Sequence, residues 1–399
     1  MIKSSKVTTR YVNSCKQNEL NTLVDEYQRV MGFFINLLWS VDKVPVLLDH
    51  TYTSQVDSWL TARMVQCAGK QASGIVRGTN RKQNQRKFMI TKLHNSGRHK
   101  QARKLQHIYD KVTLSKPTLH IVNPELDSRF IKIDLDPITS FDGWVTIGSI
   151  GKKIKITIPF KRNAHFNKMN DLGSIKSGIR LSKTSMTFMF DIPDVDIKTS
   201  GDTLGIDIGK TNVIACSNRH ISNKNQHGHD LNTILLKMSK KIKGSKAFTK
   251  CEAHRKNYIN WSINQLNLDS IKEVRLEKIQ NLRKNKKTNR ILSHWTYTEI
   301  FDKLESRCEE QGVLVTRINP TYTSQRCSKC GWTRKRNRKG KLFKCSSCGH
   351  SDDADLNAAM NIALNIPQIS EGKRLMNSNR TGFYWNTKGQ DHIVPAVNN

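Results

Sequence analysis

Two short cysteine pairs constrain the fold of this chain more than any other feature. They are Cys327–Cys330 and Cys345–Cys348, each a CxxC sequence followed by glycine, and 14 residues separate them. Pairs at this spacing hold four thiolates around one tetrahedral zinc ion. Because four protein ligands leave no coordination position open, we predict one structural zinc, held in a ribbon over residues 321–349.

The net charge of the chain predicts a polyanionic partner. The 399 residues include 67 Lys and Arg against 33 Asp and Glu, which gives a formal net charge of +34. With 36% apolar residues the composition is that of a folded protein, so the charge lies on the surface of folded domains. Nucleic acid is the polyanion that this excess favours, and an anionic membrane surface is the alternative.

Hydropathy weakens the membrane alternative. A membrane span needs about 18 apolar residues in sequence, and the most apolar run, residues 32–39, is interrupted by Asn36. Residues 1–11 lack the apolar core of a signal peptide. We therefore expect a cytoplasmic protein, associated with the nucleoid in a prokaryotic host, without a membrane partner. In that compartment the five other cysteines are expected to be thiols in the core.

Two segments concentrate basic residues without any acidic residue. Residues 77–104 contain ten Lys and Arg, and residues 332–344, between the cysteine pairs, contain seven. Segments of one sign favour contact with phosphates; the alternatives are a solvated helix face for the first and a purely structural ribbon for the second. The residues that we predict to bind nucleic acid are Arg77, Arg81, Lys82, Arg86, Lys87, Arg334, Lys335, Arg336, Arg338 and Lys339.

The first half of the chain changes its hydrophobic period near Pro117. Before that residue, apolar side chains recur every three or four positions, which predicts helices; one of them spans Val56 to Cys67. After it, residues 130–135, 154–158 and 186–190 alternate or run apolar between turn residues, which predicts antiparallel strands. We assign a helical domain to residues 16–115 and a β-barrel or sheet to residues 1–15 and 116–200.

The second half mixes strands and helices, and two of its strands carry acidic residues. Residues 204–209 predict a strand containing Asp207, residues 213–216 its hairpin partner, and residues 271–276 a strand that ends at Glu277. A helix over residues 298–311 and a buried strand over residues 313–318 follow. This order predicts an α/β nuclease core over residues 201–320 and 350–367, and a loosely ordered tail over residues 368–399.

Three carboxylates form the candidate catalytic site. Asp207 and Glu277 lie on strands and Asp355 opens a helix, so each sits where burial is costly without a partner. Two magnesium ions are a partner that three converging acids can share, and such a pair hydrolyses phosphodiesters. Taken singly the acids are also explained as a turn former, a surface charge and a helix cap, and Asp353 competes with Asp355 for the third position.

The strand around Asp207 has one rival interpretation. Residues 205–212 also resemble the first phosphate loop of actin-like ATPases and sugar kinases. Those proteins need a second Asp-x-Gly loop further along, and the chain contains none after Gly209. The ATPase interpretation is therefore disfavoured.

Three stretches in order resemble the RuvC motifs of the transposon-encoded TnpB nucleases and of the related compact type V CRISPR effectors. They are residues 205–209, 274–279 and 353–362, and residues 321–331 are similar to the segment that leads into the zinc ribbon of that family. The resemblance covers about residues 203–366. It implies an RNase H-like (RuvC) domain with an inserted zinc ribbon, preceded by a β-barrel wedge domain and a helical recognition domain.

The resemblance also implies a function. Members of that family bind a noncoding guide RNA, read a short motif beside the target DNA, and cut the DNA at a single RuvC site. Base pairing between guide RNA and DNA reads the sequence, while the protein reads the shape of the nucleic-acid backbone. Carried over by residue, Asp207, Glu277 and Asp355 hold magnesium, and Cys327, Cys330, Cys345 and Cys348 hold zinc. A guide-independent nuclease or transposase accessory protein, and an RNA-guided repressor that does not cut, remain the alternatives. Transposon or CRISPR context, and monomer or homodimer, stay open.

Overall fold

The computed structural model describes residues 1–118, 122–135, 138–279, 290–364, 366 and 382–385. The chain divides into two compact units, Met1–Pro193 and Asp194–Asn399. Within the described part, none of the helices combines the length and apolar content that crossing a membrane requires. Most of the predicted tail, residues 368–399, lies outside the described residues.

Helices dominate the first 111 residues of the first unit. The helices among the described residues of this unit are α1 (Ser14–Trp39), α2 (His50–Thr53), α3 (Ala62–Asn95), α4 (His99–Lys111) and α5 (Ala164–Leu172). Helix α1 starts where the Asn13 side chain accepts a hydrogen bond from Lys16 N, and its face with Leu20, Tyr27 and Phe34 is fully buried. This face belongs to the core on which α3 also packs.

The helix predicted from Val56 to Cys67 is wrong in its first half. Helix α3 begins only at Ala62, after Thr61 in an extended conformation. Val56 and Leu60 are buried all the same, at 9% and 6% exposure, because the turn that holds them packs on the core. Apolar spacing reports burial, and here a buried turn has the spacing of a helix.

The strands of the first unit form two antiparallel sheets. They are β1 (Ile2–Thr8), β2 (Glu125–Leu126), β3 (Ile131–Leu135), β4 (Gly143–Ile147), β5 (Ile156–Phe160), β6 (Ser174–Leu181) and β7 (Ser185–Asp191). One sheet has the order β1-β7-β6-β2 and the other β3-β4-β5. The three predicted strands are β3, β5 and β7. Phe160, Phe166 and Phe188 stack in the core beside these sheets, with ring centroids 5.0–5.8 Å apart.

A four-stranded mixed sheet forms the centre of the second unit. Its strands are β8 (Asp202–Ile208), β9 (Ile214–Cys216), β10 (Ile271–Glu277) and β11 (Leu314–Ile318), in the order β11-β10-β8-β9. Strand β9 is antiparallel to β8, whereas β10 is parallel to both β8 and β11. Strand β11 was predicted to be buried, but it lies at the sheet edge and Leu314 is 46% exposed.

Helices accompany this sheet in the described part of the second unit. They are α6 (Leu231–Ser239), α7 (Lys246–Asn264), α8 (Arg290–His294), α9 (Tyr297–Glu309) and α10 (Ala354–Leu364). Sequence analysis did not predict α6 and α7, although both have clear caps: Asp230 accepts from Thr233 N, and Ser245 accepts from Phe248 N. Helix α9 ends before Gly312, whose φ of 63° suits glycine.

Short strands complete the second unit between β11 and the described end. They are β12 (Trp332–Thr333), β13 (Arg338–Lys339), β14 (Leu342–Lys344), β15 (Ser351–Asp353) and β16 (Phe383–Tyr384), with a 3-10 turn at Lys335–Asn337. Strands β13, β14 and β15 form one sheet, and β12 pairs with β16. We refer to β13, β14 and their connecting turn, residues 338–344, as the basic hairpin. Strand β14 of this hairpin pairs with β15, the strand that directly precedes α10 in the chain.

Candidate metal centres

The four cysteines of the two CxxC sequences meet at one point. Their sulfur atoms all lie within 4.8 Å of one another, with Cys327 Sγ 3.8 Å from Cys348 Sγ and Cys330 Sγ 3.6 Å from Cys345 Sγ. A tetrahedral zinc with bonds of about 2.3 Å separates its thiolates by about 3.8 Å. The cluster therefore has the ligand type, number and spacing to hold a zinc ion.

Tight turns bring each cysteine pair together. Gly331 N donates to Cys327 O at 2.9 Å, and Gly349 N donates to Cys345 O at 3.1 Å. Both glycines have positive φ, 82° and 72°, which side chains rarely tolerate. The glycine after each CxxC sequence is thus what closes the turn.

The thiols of the cluster differ in acidity. Burial opposes ionisation of Cys348, but hydrogen bonds from the His350 backbone and from the other thiols outweigh it and lower the pKa of Cys348 to about 7. Burial raises the pKa of Cys327 and Cys330. Since thiolates are the metal-binding form, zinc binding to this cluster releases protons.

Asp207 and Glu277 lie side by side on neighbouring parallel strands. The register of β8 and β10 pairs Ile206 with Leu276. The next residues along the two strands are Asp207 and Glu277, so both carboxylates emerge at the same edge of the sheet. The carboxyl ends of parallel strands form one edge of the sheet, here distinct from its outermost strands, and binding sites form at that edge.

Gly205 allows helix α10 to bring Asp355 to this edge. A Cβ at position 205 would lie 2.2 Å from Ala359 O and 2.4 Å from Ala363 N, so a side chain there would push the helix away from β8. Asp355 stands in the first turn of α10 and is 7% exposed. Its charge acts on Asp207, which brings the three predicted acids into one electrostatic group.

The three carboxylates of the acid trio repel one another; the trio consists of Asp207, Glu277 and Asp355. Burial raises the pKa of Asp207 well above its usual range, and the charges of Glu277 and Asp355 raise it further. Burial also raises the pKa of Glu277, against a hydrogen bond from Thr323 that lowers it. A divalent cation with hard oxygen ligands relieves such repulsion, so the trio fits magnesium by donor type and charge.

Two cations of the basic hairpin already contact the trio. Arg338 Nη2 donates to Asp355 Oδ1 at 2.9 Å, and Lys341 Nζ donates to Asp355 Oδ2. Both cations also lower the pKa of Asp207. Arg338 was predicted to bind nucleic acid; in this structure it is paired with an acid of the trio. Lys341 was not among the predicted site residues.

The rival acid Asp353 has a different role. Its Oδ1 accepts hydrogen bonds from Asp355 N at 2.8 Å and Leu356 N at 3.2 Å, so it caps the first turn of α10. A capping carboxylate is turned toward the helix backbone. Of the two candidates, Asp355 is therefore the one that faces Asp207.

The residues of α3 that were predicted to bind nucleic acid lie on different faces of the helix. Arg77 and Arg81 line a groove of about 970 Å³ together with the exposed ring of Phe88, which is 67% exposed. Lys82 and Lys87 are exposed outside this groove. Arg86 is half-buried, with Nη1 2.7 Å from Gln83 Oε1. Phe88 was missed by sequence analysis, although its spacing from Arg77 and Arg81 places all three along one helix face.

One family model matches the segment that contains the cysteines and Asp355. Residues 297–362 match the family described as Cas12f1-like, TNB domain. This segment is similar to that domain. The predicted resemblance to TnpB nucleases and compact type V effectors is confirmed by this match and by the relatives that follow.

Proteins similar to this chain occur in both groups, the Cas12f1 effectors and the TnpB-like proteins. A CRISPR-associated endodeoxyribonuclease Cas12f1 of Sulfoacidibacillus thermotolerans is 43% identical over 99 residues, which is 25% of this chain and 22% of that protein. A TnpB-like protein of Aquifex aeolicus is 35% identical over 95 residues, 22% of this chain and 31% of that protein. The chain thus aligns with less than a third of either relative's length.

A solved complex is similar at lower identity. The structure of a Cas12f1–sgRNA–target DNA complex aligns with 91% of this chain and 98% of that chain, at 15% identity and a TM-score of 0.44. 

The remaining predicted contacts lie in the ribbon of the TNB domain. Lys335, Arg336 and Lys339 are exposed, and Arg334 is half-buried. Two further residues of the TNB domain touch the acid trio without having been predicted, Lys341 on Asp355 and Thr323 on Glu277. The spacing of Lys341 and Thr323 in the sequence does not predict these contacts, because they arise from the hairpin turn and from the fold of residues 320–326.

Proposed function

We propose that this protein is an RNA-guided DNA endonuclease that hydrolyses phosphodiesters at the acid trio. The observation that carries the proposal is the convergence of Asp207, Glu277 and Asp355 at one sheet edge. Asp355 and the four-cysteine cluster also lie in the segment that matches the TNB domain family. Relatives of the chain include proteins named "CRISPR-associated endodeoxyribonuclease Cas12f1" and "Putative RNA-guided DNA endonuclease InsQ".

The domain assignment is part of the proposal. A RuvC-type domain comprises residues 201–320 and 350–367, with the zinc ribbon at 321–349 inserted. The sheet order β11-β10-β8-β9, with a single antiparallel strand, supports an RNase H-like core. The two antiparallel sheets of the first unit support a wedge domain over residues 1–15 and 116–200, and helices α1 to α4 support a recognition domain over residues 16–115.

In the proposed mechanism the acid trio holds magnesium, and a structural zinc shapes the ribbon. When bound there, magnesium would supply Lewis-acid activation of water and stabilisation of the leaving oxygen of a phosphodiester. The raised pKa of Asp207 means that its carboxyl retains a proton to higher pH than an ordinary aspartate, so that proton leaves when the site is loaded. Arg338 and Lys341 supply the positive charge that a phosphate of the scissile strand requires.

Guide RNA and target DNA are the proposed partners, and no membrane is involved. The net charge of +34 includes two separate acid-free segments, residues 77–104 with ten Lys and Arg and residues 332–344 with seven, and this separation supports two nucleic acids better than one. In the groove on α3, Arg77 and Arg81 offer phosphate contacts and Phe88 offers a surface on which a base can stack.

The test begins with the nucleic acid that accompanies the purified protein. We expect RNA of one defined class, whose variable segment specifies a DNA target. DNA that matches this segment should be cut in magnesium, and DNA with a scrambled target should stay intact. Purification free of RNA with cutting of arbitrary DNA would favour the guide-independent nuclease, whereas binding of the matched target without a nick would favour the repressor. The mass of the assembled complex distinguishes monomer from homodimer.

A further inference from the structure

Glu277 receives a hydrogen bond from outside the acid trio. The hydroxyl of Thr323 donates to Glu277 Oε1, and Thr323 is 3% exposed. A carboxylate at the end of a strand has two free side-chain torsions beyond Cβ, so a fixed donor selects one orientation of its oxygens. The bond is made by a threonine from the segment that leads into the first CxxC sequence, not from the strand that carries Glu277.

Helix α10 fixes the backbone at Thr323. Asn361 donates through Nδ2 to Thr323 O at 2.9 Å and to Arg326 O at 2.8 Å, and its Oδ1 accepts from Arg326 Nη1 at 2.7 Å. Asn361 is 1% exposed, so all of these bonds are shielded from water. Its amide thereby uses both of its protons and its oxygen on residues 323–326.

A second asparagine of α10 ties the same segment to the cysteine cluster. Asn357, one turn before Asn361 and completely buried, donates to Arg326 O at 2.8 Å and accepts from Ser328 N at 2.9 Å. Ser328 lies inside the turn between Cys327 and Cys330. The two asparagines therefore connect the zinc-binding turn, the backbone of residues 323–326 and the helix that presents Asp355.

We infer that Thr323 is a positioning residue for Glu277, held in place by Asn357 and Asn361, so that the ribbon orients an acid of the magnesium site. This inference rests on the proposed function, since it takes Glu277 to be a magnesium ligand. Partners that hydrogen-bond to a metal ligand orient it, and their loss typically costs 10–100-fold in metal affinity. The ribbon is thus connected to the chemistry through hydrogen bonds as well as through its basic surface.

The test measures metal affinity rather than cleavage. Binding of Mn²⁺, a spectroscopic substitute for Mg²⁺, is followed by electron paramagnetic resonance on the full-length, zinc-containing protein. Thr323→Val keeps the shape of the side chain and removes the hydroxyl, and Thr323→Ser restores the hydroxyl. We expect Thr323→Val to weaken Mn²⁺ binding by about tenfold or more, and Thr323→Ser to stay within about threefold of the unmodified protein.

Thr333→Val is the matched control. Thr333 is also a fully buried threonine of the ribbon segment, and its hydroxyl bonds to Gly331 O at 3.1 Å instead of to an acid. It should leave Mn²⁺ affinity unchanged. Thermal unfolding of all three variants shows whether each folds, and the comparison of Val with Ser at position 323 separates the hydroxyl from any general loosening.

A fourth variant tests the connection to α10. Asn361→Leu removes both bonds to the backbone of residues 323–326, and we expect it to weaken Mn²⁺ binding in the same direction as Thr323→Val. The two substitutions act on one chain of contacts, so the double variant should lose little more than the larger single loss. Additive losses would overturn the role assigned to Asn361.

Other outcomes overturn the inference itself. One such outcome is that Thr323→Val binds Mn²⁺ as tightly as the unmodified protein. A second is that Thr323→Ser binds Mn²⁺ as weakly as Thr323→Val, and a third is that Thr333→Val loses as much Mn²⁺ affinity as Thr323→Val. Glu277→Gln distinguishes these results from failure of the proposed function. If Glu277→Gln leaves Mn²⁺ affinity unchanged, the magnesium site itself is misplaced; if it abolishes binding while Thr323→Val does not, only the positioning role fails.

Discussion

The amine of Lys341 contacts Asp355 Oδ2, while Arg338 holds the other oxygen of the same carboxylate at 2.9 Å. Both cations come from the basic hairpin, and the carboxylate they share belongs to the acid trio. A metal ion that binds Asp355 shares this carboxylate with the two cations, whose positive charges oppose its binding. Cation and metal therefore compete electrostatically for the same carboxylate.

The first prediction concerns this competition. Lys341→Gln removes one competing charge, so we expect it to tighten Mn²⁺ binding by about threefold to tenfold; a tenfold change corresponds to about 1.4 kcal/mol. Mn²⁺ titration at constant ionic strength measures the effect. Lys344→Gln, an exposed lysine of the same hairpin, serves as the control and should change affinity much less. Equal effects of the two variants would show only a general electrostatic influence, and weaker binding by Lys341→Gln would contradict the competition.

The second prediction follows from the raised pKa of Asp207. Burial and its acidic neighbours raise the folded-state pKa above that of the unfolded chain, so the contribution of Asp207 to stability is present at low pH and is lost as pH rises through the folded-state pKa. Asp207→Asn removes this loss. We expect its melting temperature without added magnesium to exceed that of the unmodified protein at pH 7, by about 2–4 °C per kcal/mol of relief.

The sign of this effect is checked by pH. Below about pH 4, where both states hold the proton, the advantage of Asp207→Asn should disappear. Asp202→Asn, at the exposed start of the same strand, is the control and should leave the melting temperature at pH 7 unchanged. A melting temperature for Asp207→Asn that falls at neutral pH would contradict the burial of an uncompensated charge.

The third prediction concerns zinc. Metal analysis of the purified protein should find one zinc per chain, and Cys327→Ser should lose it, because Cys327 is a fully buried ligand of the cluster. Cobalt substitution should give the thiolate charge-transfer bands of a tetrahedral site in the unmodified protein and not in Cys327→Ser. Cys15→Ser, which changes an exposed cysteine on α1, should retain the metal. Full zinc occupancy in Cys327→Ser would contradict the assignment.

The fourth prediction concerns the groove on α3. Replacing Arg77 and Arg81 together with Gln should weaken RNA binding and reduce the slope of log affinity against log salt by about 1.4–1.8, the value for two lost phosphate contacts. Filter binding over a range of salt concentrations measures both quantities. Lys250→Gln, an exposed lysine on α7, is the control. An unchanged slope in the double variant would remove this groove from the RNA-binding surface.

Sequence patterns predicted those parts of the fold that depend on local chemistry. The CxxC spacing predicted the four-cysteine cluster because a metal site requires a fixed ligand number and type. The strand bearing Asp207 was predicted because apolar residues flank the acid and glycine follows, and residues 271–276 were predicted as a strand that ends at Glu277. Asp207, Glu277 and Asp355 were chosen for their placement on elements, and the structure brings their charges together.

Contacts made through turns and between elements could not be predicted in this way. The turn around Val56 has the apolar spacing of a helix, and β11 has the composition of a central strand although it lies at an edge. The contact of Lys341 with Asp355 joins residues 14 positions apart, and that of Thr323 with Glu277 joins residues 46 positions apart. Such pairs depend on the tertiary fold, so neither composition nor period reports them.

Cleavage of guide-matched DNA by the purified RNA–protein complex tests the central claim most directly. The complex is incubated with magnesium and a DNA that carries the sequence read from its own RNA, beside the same complex made with Asp207→Ala. We predict a cut in the matched DNA by the unmodified protein, and retained target binding without a cut by Asp207→Ala. Equal cutting by both proteins would contradict the assignment of the acid trio as the catalytic site.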